Sequence, residues 1–203
     1  MGRRSDHTRD ELVELLVATG HRHMAEGGLA RFSGREVAKR AGYSVGTIYN
    51  VFGSLDQLVA AINSRTFTLW AEHLRRRLAD GSVDRIRSLV EGYFSFAAEN
   101  TTLWTAIYDH RLPDGVRLTE EDERLRGELT EIVVAEVECA LPASHDLDTA
   151  RLARSLVAVV HGHCSFGING SFALMGEPDP ARLALARVEE SLARHGYRPP
   201  EFN

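Results

Sequence analysis

The sequence predicts an all-α protein, and three observations carry that prediction. Apolar residues recur at three- and four-residue spacing along most of the chain, the period that gathers side chains on one face of an α-helix. Helix punctuation brackets these runs, with Ser, Thr or Asp before them and Gly or Pro after them. No stretch alternates apolar and polar residues between turn signals, and there is no glycine-rich phosphate loop. The expected architecture is a three-helix head over residues 1–54 followed by a larger helical domain over residues 55–203.

The head is the more informative part. Thr8 to Glu26 reads as an amphipathic helix with Leu12, Leu15, Leu16 and Thr19 on one side, closed by Gly27-Gly28. Ser33 caps a short helix whose inward positions are Val37, Ala38 and Ala41, and Gly42 ends it where a left-handed residue costs nothing sterically. Ser44 offers a second cap, and Val45 to Val51 forms one further short helix. The small Ala38 and the turn glycine let the two helices cross closely at a steep angle, as a helix-turn-helix requires. The second helix of such a pair is shaped to enter a DNA groove.

Beyond the head only helices are expected. Leu55 to Ala79 is one long helix with Leu58, Ile62, Phe67, Leu69, Leu74 and Leu78 as apolar positions. Ser82 caps the next, which runs to about Asn100 with Ile86, Leu89, Val90, Tyr93, Phe94 and Ala97 inward. Thr102 starts a short helix, and Pro113 and Gly115 break the polar link after it. Thr119 with Asp122 resembles a capping box for a helix to Ala140, which Pro142 ends. Asp148 caps an apolar helix to about Met175. Asp179 and Pro180 restart the chain as cap and first helical residue, and the last helix runs to Arg194 before Gly196.

At 203 residues and 43% hydrophobic content, the chain can bury a sizeable core in one or two domains. No apolar run is long enough to span a bilayer, and the opening residues lack the apolar stretch of a signal peptide. A cytoplasmic protein with no membrane partner is expected. Cys139 and Cys164 lie inside helical patterns and make no disulfide framework. The net charge of −5 is unevenly spread: residues 1–60 carry eight basic against seven acidic side chains, leaving −6 for the remainder. Distribution matters more than the total. Arg3 and Arg4 form an arm, and Arg35, Lys39 and Arg40 share one short helix, clusters suited to meet phosphates.

The tail of the helix-turn-helix is the sharpest motif. Thr47-Ile48-Tyr49-x-x-Phe52-x-Ser54-x-x-x-Leu58 resembles the signature of the tetracycline-repressor (TetR) family of transcriptional regulators, in which an aromatic pair and a turn lead into a long linking helix. The Gly-Leu-x-x-Phe-Ser link at residues 28–33 fits the same pattern, and the matches cover roughly the first 60 residues. One position departs. The family usually has a lysine where Leu55 stands, so the resemblance implies one phosphate contact fewer here.

What the resemblance implies is a ligand-responsive DNA-binding regulator, a repressor released from a palindromic double-stranded operator by a small hydrophobic molecule. Ser44, Val45, Thr47 and Tyr49 are then placed for base edges and nearby sugar or phosphate, and Arg35 for either. Arg3, Arg4, Ser33, Lys39 and Asn50 are placed for the backbone. A homodimer is expected too. Residues 152–175 are apolar nearly all round and include Ala153, Ser155, Ala158, Gly162, Ser165 and Gly170, and a helix hydrophobic on every side must be covered on every side. In the family a second copy covers it, here through residues 148–175 and 179–195. Val159-Val160-His161-Gly162 is similar to a subgroup of TetR carboxy-terminal domains named for a Trp-His-Gly signature, although no tryptophan stands in the turn before His161.

Family members hold an inducer in a cavity of the carboxy-terminal domain. The lining available here includes Trp70, Phe94, Trp104, Tyr108, His161 and Phe166, a set suited to a neutral or weakly polar hydrophobic compound. No cofactor and no metal are expected. His161 and His163 stand two apart on one helix and point to nearly opposite sides, so they do not share an ion. An enzyme is not expected either: there is no Cys-x-x-Cys, His-Glu-x-x-His or Gly-x-Ser-x-Gly, and none of the nine histidines follows a glutamate by three residues. The rival readings are an all-helical enzyme with an unrecognised site and a helix-turn-helix adaptor that has lost DNA binding.

Overall fold

The computed structural model describes residues 7–143 and 147–200, so Arg3 and Arg4 of the expected arm lie outside the described residues. Among the described residues there are ten α-helices and no strand: α1 (Arg9–Gly27), α2 (Gly34–Ala41), α3 (Val45–Phe52), α4 (Leu55–Ala79), α5 (Arg85–Glu99), α6 (Thr101–Asp109), α7 (Glu120–Ala140), α8 (Thr149–Ile168), α9 (Ser171–Leu174) and α10 (Pro180–Ala193). None of them is long and apolar enough to cross a membrane. Two compact units divide the chain, Met1–Thr68 with Thr102–Arg126, and Leu69–Thr101 with Gly127–Asn203.

The first unit forms around α1. Thr8 opens that helix with a reciprocal capping box: the Glu11 N–H donates to the Thr8 hydroxyl, and the Thr8 N–H donates to Glu11 Oε2 at 2.7 Å. The buried face of α1 presents Leu16, Val17 and Met24 to Val37 and Ala38 of α2, Ile48 of α3, and Leu58 and Ile62 of α4. Leu103 and Ala106 of α6 complete this core. Gly20 marks the closest approach of α1 to α4, since a Cβ there would collide with Ile62 Cδ1. At the edge of this buried face, His21 is half-buried and its Nε2 has no hydrogen-bond partner among the described residues.

Burial, and then the Arg65 and Arg22 guanidiniums, push the His21 pKa down from 6.5 to about 4. The unfolded chain takes up this proton near pH 6.5 while the folded chain resists until about pH 4, so stability falls as pH drops through that window. The melting temperature of His21→Gln is therefore expected to decline less than wild type between pH 7 and 4.5. Parallel melting curves would clear His21 as a source of the acid sensitivity.

The second unit centres on Trp70, whose ring stacks on Phe96 at 5.0 Å and meets Tyr93 edge-on at 4.6 Å. Helix α10 packs along α8, and α5 packs against both. Two boundaries differ from the sequence expectation. Asp84, not Ser82, caps α5: its buried carboxylate accepts the Arg87 N–H at 2.9 Å, while the Ser82 hydroxyl donates to the Asp84 carbonyl. The apolar helix expected to reach Met175 stops at Ile168, because Gly170 turns left-handed at φ 80° and leaves the four-residue α9 as a separate turn.

Candidate nucleic-acid interface

The turn between α2 and α3 is built by local hydrogen bonds. Gly42 adopts φ 82°, which brings its own N–H to the Lys39 carbonyl at 3.1 Å and the Tyr43 N–H to the Ala38 carbonyl at 2.8 Å. This double bond pattern is a Schellman motif, and it satisfies the last carbonyls of α2 before the chain reverses. At the other end Ser33 caps α2 by accepting the Glu36 N–H, and its own N–H donates to His23 Nε2 at 3.2 Å. Ser33 thus closes the start of α2 with its hydroxyl and ties it to α1 with its N–H.

Helical spacing then sorts α3 into two faces. Ile48 is fully buried, with Val51 and Phe52 packed against the same core. Gly46, Tyr49 and Asn50 point away from it and are exposed, Tyr49 by 53%, and Val45 at the open end of the helix is 37% exposed. An exposed aromatic on a short helix clamped from behind does nothing for folding, so it is free to meet a partner. Ser44 gives no side-chain cap to α3; its hydroxyl instead stands 3.3 Å from that of half-buried Thr47. The Thr47 N–H donates to the Ser44 carbonyl at 3.0 Å, which leaves the Val45 and Gly46 N–H groups at the open end of α3 without a side-chain cap.

Charge around this surface is redistributed by pairing. Arg40 donates to Glu26 at 2.7 Å and to Glu36 at 3.1 Å, which clips α2 to α1. These bonds hold both glutamates below the usual carboxylate range and raise the guanidinium. Arg40 therefore drops out of the phosphate-meeting cluster that the sequence suggested. Arg35 and Lys39 are exposed and make no ion pair among the described residues. The Glu36–Arg40 pair was legible from its spacing of four, but Glu26 comes from a different helix and carried no signal. His23, the acceptor behind Ser33, was missed for the same reason.

Leu55 turns inward. A Cβ on Gly34 would lie 2.8 Å from Leu55 Cδ1, so the residue that stands in place of the usual lysine closes against the start of α2.

The expected ligand residues are scattered. Trp104 is buried on α6 of the first unit, with its ring 5.1 Å from that of half-exposed Tyr108. In the second unit the Tyr93 hydroxyl pairs with His161 Nδ1 at 3.0 Å, and Tyr93 also touches Trp70. Tyr93 lines an apolar cavity of about 50 Å³ together with Leu74, Val90, Val133, Val137 and Val160. Phe94 instead faces an open groove of about 600 Å³ with Cys164 and Phe172, where burial pushes the Cys164 thiol up to about 12. Phe166 is 47% exposed and borders a separate outward groove with Ala158 and Gly162.

Residues 16–62 match the family model described as "Bacterial regulatory proteins, tetR family", and residues 86–190 match "Tetracyclin repressor-like, C-terminal domain". The HTH-type transcriptional regulator BetI 1 of Chromohalobacter salexigens is 31% identical over 203 residues, spanning 95% of this chain and 94% of that protein. Two solved structures share the fold. The multidrug binding protein EbrR complexed with imidazole has a TM-score of 0.60 at 23% identity, over 97% of this chain and 98% of that one. RolR in complex with resorcinol has a TM-score of 0.66 at 14% identity, over 96% and 98%. With a helix-turn-helix of this geometry and a full-length relative at this identity, the chain belongs to the TetR family of bacterial DNA-binding transcriptional regulators.

Proposed function

We propose that the protein is a homodimeric repressor that reads a near-palindromic operator through α3 and is released by a small hydrophobic compound. The observation that carries this reading is the split character of α3, anchored by Ile48 and presenting Val45, Tyr49 and Asn50 outward. Ser44, Val45, Thr47 and Tyr49 are the base-edge readers; Arg35, Lys39 and Asn50 hold the backbone, with Arg3, Arg4 and Ser33 beside them. The second copy is proposed to cover α8 and α10, where Ala158 and Phe166 are exposed and Leu174 just beyond is 92% exposed. A two-fold dimer places its half-sites about one helical turn of DNA apart, or a multiple of that.

The ligand is proposed to enter the second unit by widening the apolar cavity beside the Tyr93–His161 pair, which supplies one polar contact to an otherwise apolar guest. The imidazole bound to EbrR and the resorcinol bound to RolR are small aromatic rings that each carry two polar groups. Fluorescence anisotropy with duplexes from the chain's own upstream DNA tests the DNA half of the proposal. Lys39→Ala is expected to weaken binding to all sequences and to make the salt slope shallower by roughly one unit. Thr47→Ala is expected to change which half-site is preferred. Equal loss on specific and non-specific DNA for Thr47→Ala would remove it from the readers.

A further inference from the structure

Arg126 stands near the start of α7, half-buried, and all its polar partners lie on α4. Its Nε–H donates to Ser64 Oγ at 3.1 Å, and a terminal N–H donates to the Ala60 carbonyl at 3.0 Å. The Ser64 hydroxyl donates to that same carbonyl at 2.9 Å, so guanidinium, hydroxyl and carbonyl close a ring. The guanidinium carbon also sits 5.4 Å from the centre of the Phe67 ring. None of these partners is an anion. Asp122, one turn back, lowers the cost of the charge through its field, but its Oδ2 accepts the Thr119 hydroxyl at 2.7 Å, and no ion pair joins it to Arg126 among the described residues.

A desolvated guanidinium without a direct counter-ion is a costly way to join two helices, and an apolar side chain would join them with less penalty. What the guanidinium adds is direction. Its planar fork fixes the rotation of α4 about its axis as well as its distance, because these hydrogen bonds weaken steeply with angle. Further along, the same two helices supply Leu74, Val133 and Val137 to the apolar cavity of about 50 Å³. Drug-sized guests need roughly 300 Å³ or more, so occupancy must displace part of the wall that α4 and α7 share with α5, α8 and α10.

We infer that Arg126 is a positioning residue: a latch that sets the phase of the linking helix α4 and so holds the two heads of the dimer in register for both half-sites. The inference rests on the dimeric reading above. The bonds of Arg126 go to α4 and not to α2 or α3, so its effect belongs to full sites alone.

The test uses the full-length chain and two duplexes, a palindromic operator from its upstream DNA and the same duplex with one half-site scrambled. Arg126→Met keeps an unbranched apolar side chain beside Phe67 while removing the fork and its charge. It is expected to bind the scrambled duplex as wild type does and to lose roughly tenfold or more on the full operator, within the range typical of coupled sites. Arg126→Lys, with one donor group in place of two forked ones, is expected to lie between. Equal losses on both duplexes would reduce Arg126 to a structural contact, and unchanged binding to both would overturn the latch. If Arg126→Met fails to fold, Ser64→Ala removes the Nε acceptor alone and is expected to show a smaller loss confined to the full operator; a loss on both duplexes, or none, overturns the inference. Wild-type protein that binds both duplexes equally would instead refute the dimeric reading.

Discussion

Gly162→Arg is expected to convert the proposed dimer to a monomer and to lower operator affinity on the order of a hundredfold or more, the usual yield of linking two binding events. The substitution is clean because the single chain has room for it. A Cβ at Gly162 meets nothing within 4 Å, and the residue lies between exposed Ala158 and exposed Phe166 on one face of α8. Inside a helix the change from glycine also gains about 0.8 kcal/mol of propensity. The helical signal in circular dichroism should therefore persist while sedimentation shows half the mass. A Gly162→Arg protein that still sediments as a dimer would move the interface away from this face of α8.

Ile48→Ala is expected to abolish operator binding through stability, whereas Tyr49→Ala abolishes it through contact. Ile48 is fully buried among Leu16, Val37, Ala38 and Leu58, and truncating such a side chain costs about 2–5 kcal/mol. Against a total stability of about 5–15 kcal/mol, that loosens or unfolds the unit that presents α3. Tyr49, its neighbour in sequence, is 53% exposed and contributes little to packing. Thermal melts should show a large drop for Ile48→Ala and almost none for Tyr49→Ala, while anisotropy shows operator binding lost in both. Equal melting temperatures would mean that α3 is not held by Ile48.

Local chemistry was readable in advance wherever neighbours in sequence decide it. Ser33, Asp148 and Asp179 cap the helices assigned to them, because a cap bonds to an N–H only two or three residues away. Gly42 ends α2 as expected, since a left-handed turn is a property of one residue. The inward faces of α1 and α2 followed from their apolar period. Asp84 displaced Ser82 as a cap although both were visible, because a choice between adjacent candidates turns on which one is buried.

By itself, then, the sequence determined the all-helical class and the helix-turn-helix, both of which follow from spacings shorter than one or two helical turns. Tertiary structure alone decided the fates of the long polar side chains. Arg40 bonds Glu26 across two helices, Arg126 bonds Ala60 and Ser64 from far along the chain, and Leu55 folds onto Gly34. It also decided which aromatics are core and which are surface, burying Trp70 and Trp104 and leaving Phe166 outside. The physical reason is common to these cases. A cap or a helical face is set by bonds along the chain, but the partner of a charge or a ring is whatever folding brings beside it, and one helix does not encode its neighbours.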